Sequence, residues 1–121
     1  NLPVIKHPTS WNSKFTKIGE GTILLSSSNL QTSSIIGKGT ILNTGCIVEH
    51  DVILEDGVHV CPGVSIAGNS KIGKNSWIGI GSSVKEKIRI GSNVIVGAGS
   101  VVVRDIPDNV VAKGVPAKWN Y

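Results

Sequence analysis

From Ile72 to Val102 the chain reads, in sixes, IGKNSW IGIGSS VKEKIR IGSNVI VGAGSV V. Each six opens on Ile or Val. The same register runs back through Ile66, Val60, Leu54, Val48, Leu42, Ile36, Leu30 and Leu24 to Ile18, so every sixth residue is Ile, Leu or Val. The fifth residue of nearly every hexad is compact, as at Thr22, Ser28, Ser34, Thr40, Cys46, Ser70, Ser76, Ser82 and Ser100, with Ile88 the largest. A helix repeats near 3.6 residues and a strand near 2, and neither yields this pattern. A sustained period of six is the signature of a parallel β-helix. Each hexad is then one short strand and one corner, with the first residue and the small fifth residue facing inward. Three hexads close a triangular turn, residue n stacks on residue n+18, and rungs lie about 4.8 Å apart. The fourth position holds Gly21, Gly39, Gly45, Asp51, Gly57, Gly63, Asn69, Asn75, Gly81, Asn93, Gly99 and Asp105, residue types that tolerate the positive φ of a tight corner.

The expected organisation follows outward from this register. Residues 18–106 form about five coils of an all-β parallel β-helix. Residues 1–17 are a lead-in, in which Pro3 and Pro8 bracket an extended segment and Trp11 and Phe15 cap the open first coil. Pro107-Asp108-Asn109 ends the repeat, and residues 107–121 form a capping tail in which Val110 to Trp119 fold back across the last coil.

Composition narrows the class. The 121 residues carry a net charge of +4 and include one Phe, one Tyr and two Cys. The basic residues are scattered without aromatic interleaving, which argues against nucleic acid and fits a mild attraction for phosphate-bearing small ligands. No apolar run is long enough for a membrane span, and no signal-peptide pattern is present. Cys46 falls on an inward position and Cys61 on an outward one, so free thiols and a reducing, cytoplasmic compartment are expected.

The third residue of each hexad faces outward. The row Glu20, Lys38, Asp56, Lys74, Ser92 reads as a solvated edge. The row Ser26, Thr44, Pro62, Ile80, Ala98 turns apolar where water was expected and is flanked by glycines. Such a bare strip suits a long thin ligand or a neighbouring subunit. The row Thr32, His50, Gly68, Glu86 places an imidazole one rung from a glycine amide, with Asp51 adjacent. A base for the nucleophile beside a donor for an oxyanion is the pairing that acyl transfer needs. His7 reads as structural. A hydrolytic triad has no G-x-S-x-G elbow to support it. A zinc site like that of trimeric carbonic anhydrases needs a close His pair, whereas His50 and His59 stand on different faces, so no metal is expected.

The block Asn43-Thr44 with Glu49-His50-Asp51, then His59, Ala67-Gly68-Asn69 and Gly114-Val115-Pro116-Ala117-Lys118 resembles the hexapeptide-repeat sugar O-acyltransferases. That family includes sialic acid O-acetyltransferases and the N-acetyltransferases of UDP-4-amino-sugars. The resemblance implies a left-handed β-helix, a homotrimer with sites between subunits, and acetyl-CoA as cosubstrate. It implies His50 as proton acceptor, Asp51 as the neighbour that raises its basicity, and His59, Gly68, Ile80, Ala98 and Lys118 as contacts of acetyl-CoA. Asn43 would help place the acceptor. The activity implied is acetyl transfer to an amine or hydroxyl of a sugar or nucleotide sugar. A serine acetyltransferase-like enzyme and a non-catalytic trimeric scaffold are the alternatives. An N-terminal nucleotide-sugar domain of the family has no counterpart in this sequence, so the chain is expected to be a C-terminal portion.

Overall fold

Every six residues the chain lays down one two-residue strand, eighteen in all from Ile5–Lys6 to Val111–Ala112. The computed structural model describes residues 1–120, and among them no helix forms. All strand pairing is parallel and stacks residue n on n+18 through residue 102, as in Ile41↔His59↔Trp77↔Ile95. The strands sort into sheets of seven, six and five, the three sides of a prism of about six turns. This is the parallel β-solenoid read from the sixes, and it is consistent with the left-handed form.

The first hexad residues fill the interior: Leu24, Leu42, Val60, Ile78 and Val96 are fully buried, and so are Leu30, Val48 and Ile66. Burial of each such side chain stabilises by roughly 1.5–3 kcal/mol. The serines at fifth positions have a second task. Ser76 Oγ donates to the Gly91 carbonyl at 2.7 Å and accepts from the Val94 N–H at 3.0 Å. Ser34 and Ser70 clasp the next rung in the same way. A small hydroxyl at the inner corner thus satisfies buried backbone groups that no strand partner reaches.

Positive φ occurs at every fourth-position residue named from sequence except Asp105, and also at Ser27, Ser33, Lys87 and Asn109. Asp105 departs because the last corner is two residues short. Ile106 bridges Ile90, and Val111–Ala112 pair with Ile95–Val96. The segment through Ala112 therefore continues the coil instead of folding back. Only the turn from Lys113 to Lys118 crosses the end, with Ala117 N–H donating to the Val101 carbonyl at 2.8 Å and Trp119 packed on the core.

The lead-in also differs from expectation. Ile5–Lys6 and Trp11–Asn12 already pair with the next coil, so the ladder begins before Ile18. Lys6 and Asn12 hide this in the sequence, because a rim rung keeps its backbone bonds without an aliphatic residue. Trp11 and Phe15 are 50% and 66% exposed and do not cap the first coil; both project from the outside of the prism. Both cysteines are free thiols, and Cys61 is buried despite its outward register. No helix among the described residues is long and apolar enough to cross a membrane.

Candidate active site

Two corners of the prism hold the reactive side chains. The first joins strand Ile47–Val48 to strand Ile53–Leu54 through Glu49-His50-Asp51-Val52. Asp51 takes φ 58°, which turns its carboxylate back toward the preceding side chain. Its Oδ2 lies 2.9 Å from His50 Nδ1. A carboxylate only accepts, so Nδ1 carries a proton, and Nε2 is the basic atom of the neutral ring. Both side chains are about half exposed. The backbone of this corner is tied to its neighbours on either side: Asp51 N–H donates to Thr32 O and Asn69 N–H to His50 O, each at 3.1 Å.

Gly68 lies directly beneath the imidazole. A Cβ at position 68 would stand 2.6 Å from His50 Cε1 and Nε2. The ring thus occupies the space that any side chain at 68 would need, and Gly68 is buried under it. Its N–H has no acceptor among the described residues. The sequence reading placed His50, Asp51 and Gly68 together, and the structure does so.

The second corner joins the seven-stranded sheet to the six-stranded one. It forms a groove of about 490 Å³ lined by Asn43, His59, Cys61, Pro62, Trp77, Gly79, Ile80, Ile95, Val96, Gly97 and Ala98. The floor requires glycine at 79, where a Cβ would stand 2.5 Å from the Val96 carbonyl oxygen. Ile80 is 61% exposed on the wall, and the N–H groups of Ile80 and Ala98 have no acceptor among the described residues. The groove is apolar with free amides along it, a surface suited to a flexible chain that carries its own amides.

One polar cluster marks this groove. Asn43 Oδ1 accepts from the Thr44 N–H at 2.7 Å, which fixes the amide, and Asn43 Nδ2 lies 3.2 Å from His59 Nε2. The His59 ring stands 4.2 Å from the Trp77 ring, inclined by 55°. Burial holds the His59 pKa below its ordinary 6.5. Cys61 beside it is likewise pushed toward its neutral thiol by burial. The turn that carries Lys113 and Lys118 meets the C-terminal end of the groove, where Lys113 Cβ would lie 3.0 Å from a Cβ at Gly97.

The two corners lie at opposite edges of the six-stranded sheet. Asn43, His59, Ile80 and Ala98 come together, and so do His50, Asp51 and Gly68, but one chain does not bring the first group to the second. Sequence reasoning missed Trp77 and Ile95 in the groove, together with the row they belong to. Ile5, Ile23, Ile41, His59, Trp77, Ile95 and Val111 stack on the outer face of the seven-stranded sheet, apolar except at His59. The first six fall on an exact spacing of eighteen, a signal available at the sixth hexad positions. A further groove of about 480 Å³ beside the shortened corner is charged, and its Asp105 and Asp108 carboxylates already accept backbone N–H groups of Arg89 and Ser92. Among the described residues no three His, Cys, Asp or Glu side chains converge as a metal set.

Comparison with known proteins agrees with the repeat and the fold. Residues 69–104 match the bacterial transferase hexapeptide (six repeats) family. The chain is similar to the acetyltransferase domain of PglB from Neisseria gonorrhoeae FA1090, solved in complex with acetyl coenzyme A. They share 39% identity over 98% of this chain and 58% of that one, with a TM-score of 0.97. PerB from Caulobacter crescentus, solved with CoA and GDP-perosamine, is 38% identical over 99% of this chain and 58% of its own, with a TM-score of 0.95. The galactoside O-acetyltransferase of Lactococcus lactis subsp. lactis (strain IL1403) is 58% identical over 38 residues, 31% of this chain and 18% of that protein. The likeness to hexapeptide-repeat sugar acyltransferases thus holds in sequence and in structure. The chain spans 58% of these two solved chains and about a fifth of the curated relatives it matches.

Proposed function

We propose that this chain is the acyl-transfer region of an acetyl-CoA-dependent acetyltransferase whose acceptor is an amine or hydroxyl of a sugar or nucleotide sugar. The observation that carries the reading is the His50–Asp51 pair seated on Gly68, in a prism that also bears an uncharged groove lined with free amides. The pantetheine arm lies along that groove between Ile80 and Ala98, its amides matched by the backbone. His59 contacts the cosubstrate, Asn43 helps place the acceptor, and Lys118 lies toward the phosphates.

The acceptor N–H or O–H attacks the thioester carbonyl as His50 Nε2 takes its proton. Asp51 holds the resulting imidazolium in place. The Gly68 N–H stabilises the tetrahedral oxyanion. Collapse breaks the C–S bond, and His50 returns the proton to the departing thiolate. A new C–N or C–O bond forms, and no acyl-enzyme is needed.

The site is completed by a second copy of the chain. His50 and the groove occupy different corners, so His50 of one copy serves the groove of the next, and a cyclic trimer gives three equal sites. The exposed apolar residues Ile5, Trp77, Ile95 and Val111 of the seven-stranded sheet supply a face suited to such packing. Free cysteines agree with a cytoplasmic location.

The test is steady-state acetyl transfer with His50→Ala, paired with sedimentation of the parent. A positioned general base contributes roughly 10²–10⁴-fold, so kcat falls by about that factor while acetyl-CoA affinity holds. A parental kcat removes His50 from catalysis, a parent without acetyl transfer favours the scaffold, and a stable monomer at micromolar concentration removes the shared site.

A further inference from the structure

Resting on the acetyl-CoA reading above, we infer that Trp77 is a positioning residue that holds His59 as a neutral Nδ1–H tautomer, so that this one donor is presented to a carbonyl of the acyl-CoA. Neither residue needs to touch the reacting proton for this to matter.

The tautomer follows from the hydrogen bonds. Asn43 Oδ1 is engaged twice, by the Thr44 N–H at 2.7 Å and by the Thr44 hydroxyl at 3.3 Å. The amide orientation is therefore set, and the group facing His59 is the Asn43 NH₂, which only donates. At 3.2 Å from it, His59 Nε2 must accept. A neutral imidazole with an accepting Nε2 carries its proton on Nδ1. Protonation of Nε2 would place donor against donor, and burial opposes the charged ring as well.

Trp77 keeps the ring in this arrangement. His59 and Trp77 are paired residues on adjacent strands of the seven-stranded sheet, and their rings meet at 4.2 Å. On the other side His59 pairs with Ile41, which is apolar and offers no competing partner. No Asp, Glu, Lys or Arg lines the groove; its polar side chains are Asn43, Cys61, Trp77 and His59 itself. His59 Nδ1 finds no acceptor among the described residues. Besides the Trp77 indole N–H, the groove thus offers one imidazole N–H directed by its surroundings, and the complementary chemistry is a carbonyl oxygen. The acyl-CoA has such oxygens in its thioester and its pantetheine amides.

The experiment uses the whole chain labelled with ¹⁵N-histidine. Nitrogen shifts report which ring nitrogen of His59 carries the proton, and their pH dependence reports its titration. In the parent the Nδ1–H form dominates and titrates below the ordinary histidine range. Trp77→Ala mixes the two tautomers and moves the titration toward the ordinary range, whereas Trp77→Phe retains the parental state. In turnover, Trp77→Ala raises the acetyl-CoA KM by about five- to tenfold, the worth of one hydrogen bond, with a smaller change in kcat. An Nε2–H tautomer in the parent overturns the inference, as does a Trp77→Ala spectrum identical to the parent's. The spectra need no acetyl transfer. An inactive parent that keeps the Nδ1–H signature therefore refutes the acetyltransferase reading alone. An active parent without it refutes the role of Trp77 alone.

Discussion

Replacing Gly68 with alanine should disable the proposed acetyl transfer through His50 while leaving the fold intact. The added methyl would stand 2.6 Å from His50 Cε1 and Nε2 and 3.1 Å from Cδ2. The ring must retreat by roughly 0.8 Å to reach ordinary contact distance. Its Nδ1 is tethered to Asp51 Oδ2 at 2.9 Å, so this motion stretches the one bond that orients it. A misplacement of about 1 Å costs on the order of 10²-fold in rate, and kcat should fall by about that factor. Stability should not fall with it. Position 68 lies outside the left-handed region, and the displaced ring is half exposed and swings into water. Alanine there also restrains the unfolded chain, worth about 0.4–1 kcal/mol in the protein's favour. The assay is CoA release under saturating acetyl-CoA, run beside a thermal melt. A double-mutant cycle identifies the route, because the Gly68→Ala penalty should vanish in a His50→Ala background. A folded Gly68→Ala variant with kcat within about threefold of the parent would show that the ring position does not limit the chemistry.

Four other substitutions test separate parts of the account. Ala98→Trp fills the groove beside Ile80 and should abolish acetyl-CoA binding in a calorimetric titration; parental affinity would place the cosubstrate elsewhere. Ser28 Oγ is buried without a partner among the described residues, so Ser28→Ala should be neutral or stabilising in chemical denaturation, by up to about 1–3 kcal/mol. Ser76→Ala breaks bonds of 2.7 and 3.0 Å and should cost about 1–3 kcal/mol, so equal effects of the two would contradict the clasp. His59 is held below its ordinary 6.5 by burial, so the unfolded chain binds its proton more readily. Stability should therefore rise with pH across the window just below 6.5, and the parent-minus-His59→Gln difference in melting temperature should show that slope.

The fold was legible because one rule repeats. A side chain at a first position must fit the same interior at every rung, so Ile, Leu or Val recurs from Ile18 to Val102 without exception. The rule weakens where stacking stops. Lys6 and Asn12 occupy first positions on a rim that has a neighbour on one side only, and aliphatic selection lapses while the ladder persists. At the other end the corner after Val102 loses two residues. The register of eighteen becomes sixteen, and Val111–Ala112 no longer fall on the period that would have revealed them.

The site was legible row by row and no further. Stacking at eighteen places Gly68 under His50 and Ala98 beside Ile80, because each pair differs by one coil. It also places Trp77 on His59, but it says nothing of how either ring turns, so the Trp77–His59–Asn43 chain required coordinates. Asn43 stands at a second position and His59 at a sixth, and only their rotamers bring amide and ring together. Nor does a row cross the prism. The corner after Val48 and the corner after Val60 have a third corner, residues 55–58, between them in sequence, and in space they are separated by the closed ladder of the six-stranded sheet. A packed interior bars any route through, since Val48, Val60 and Ile66 leave no opening. A single prism thus holds its base and its groove apart by construction. On the proposed acetyl-transfer reading the base and the groove meet only across the outer faces of two copies, where Ile5, Trp77, Ile95 and Val111 stand exposed.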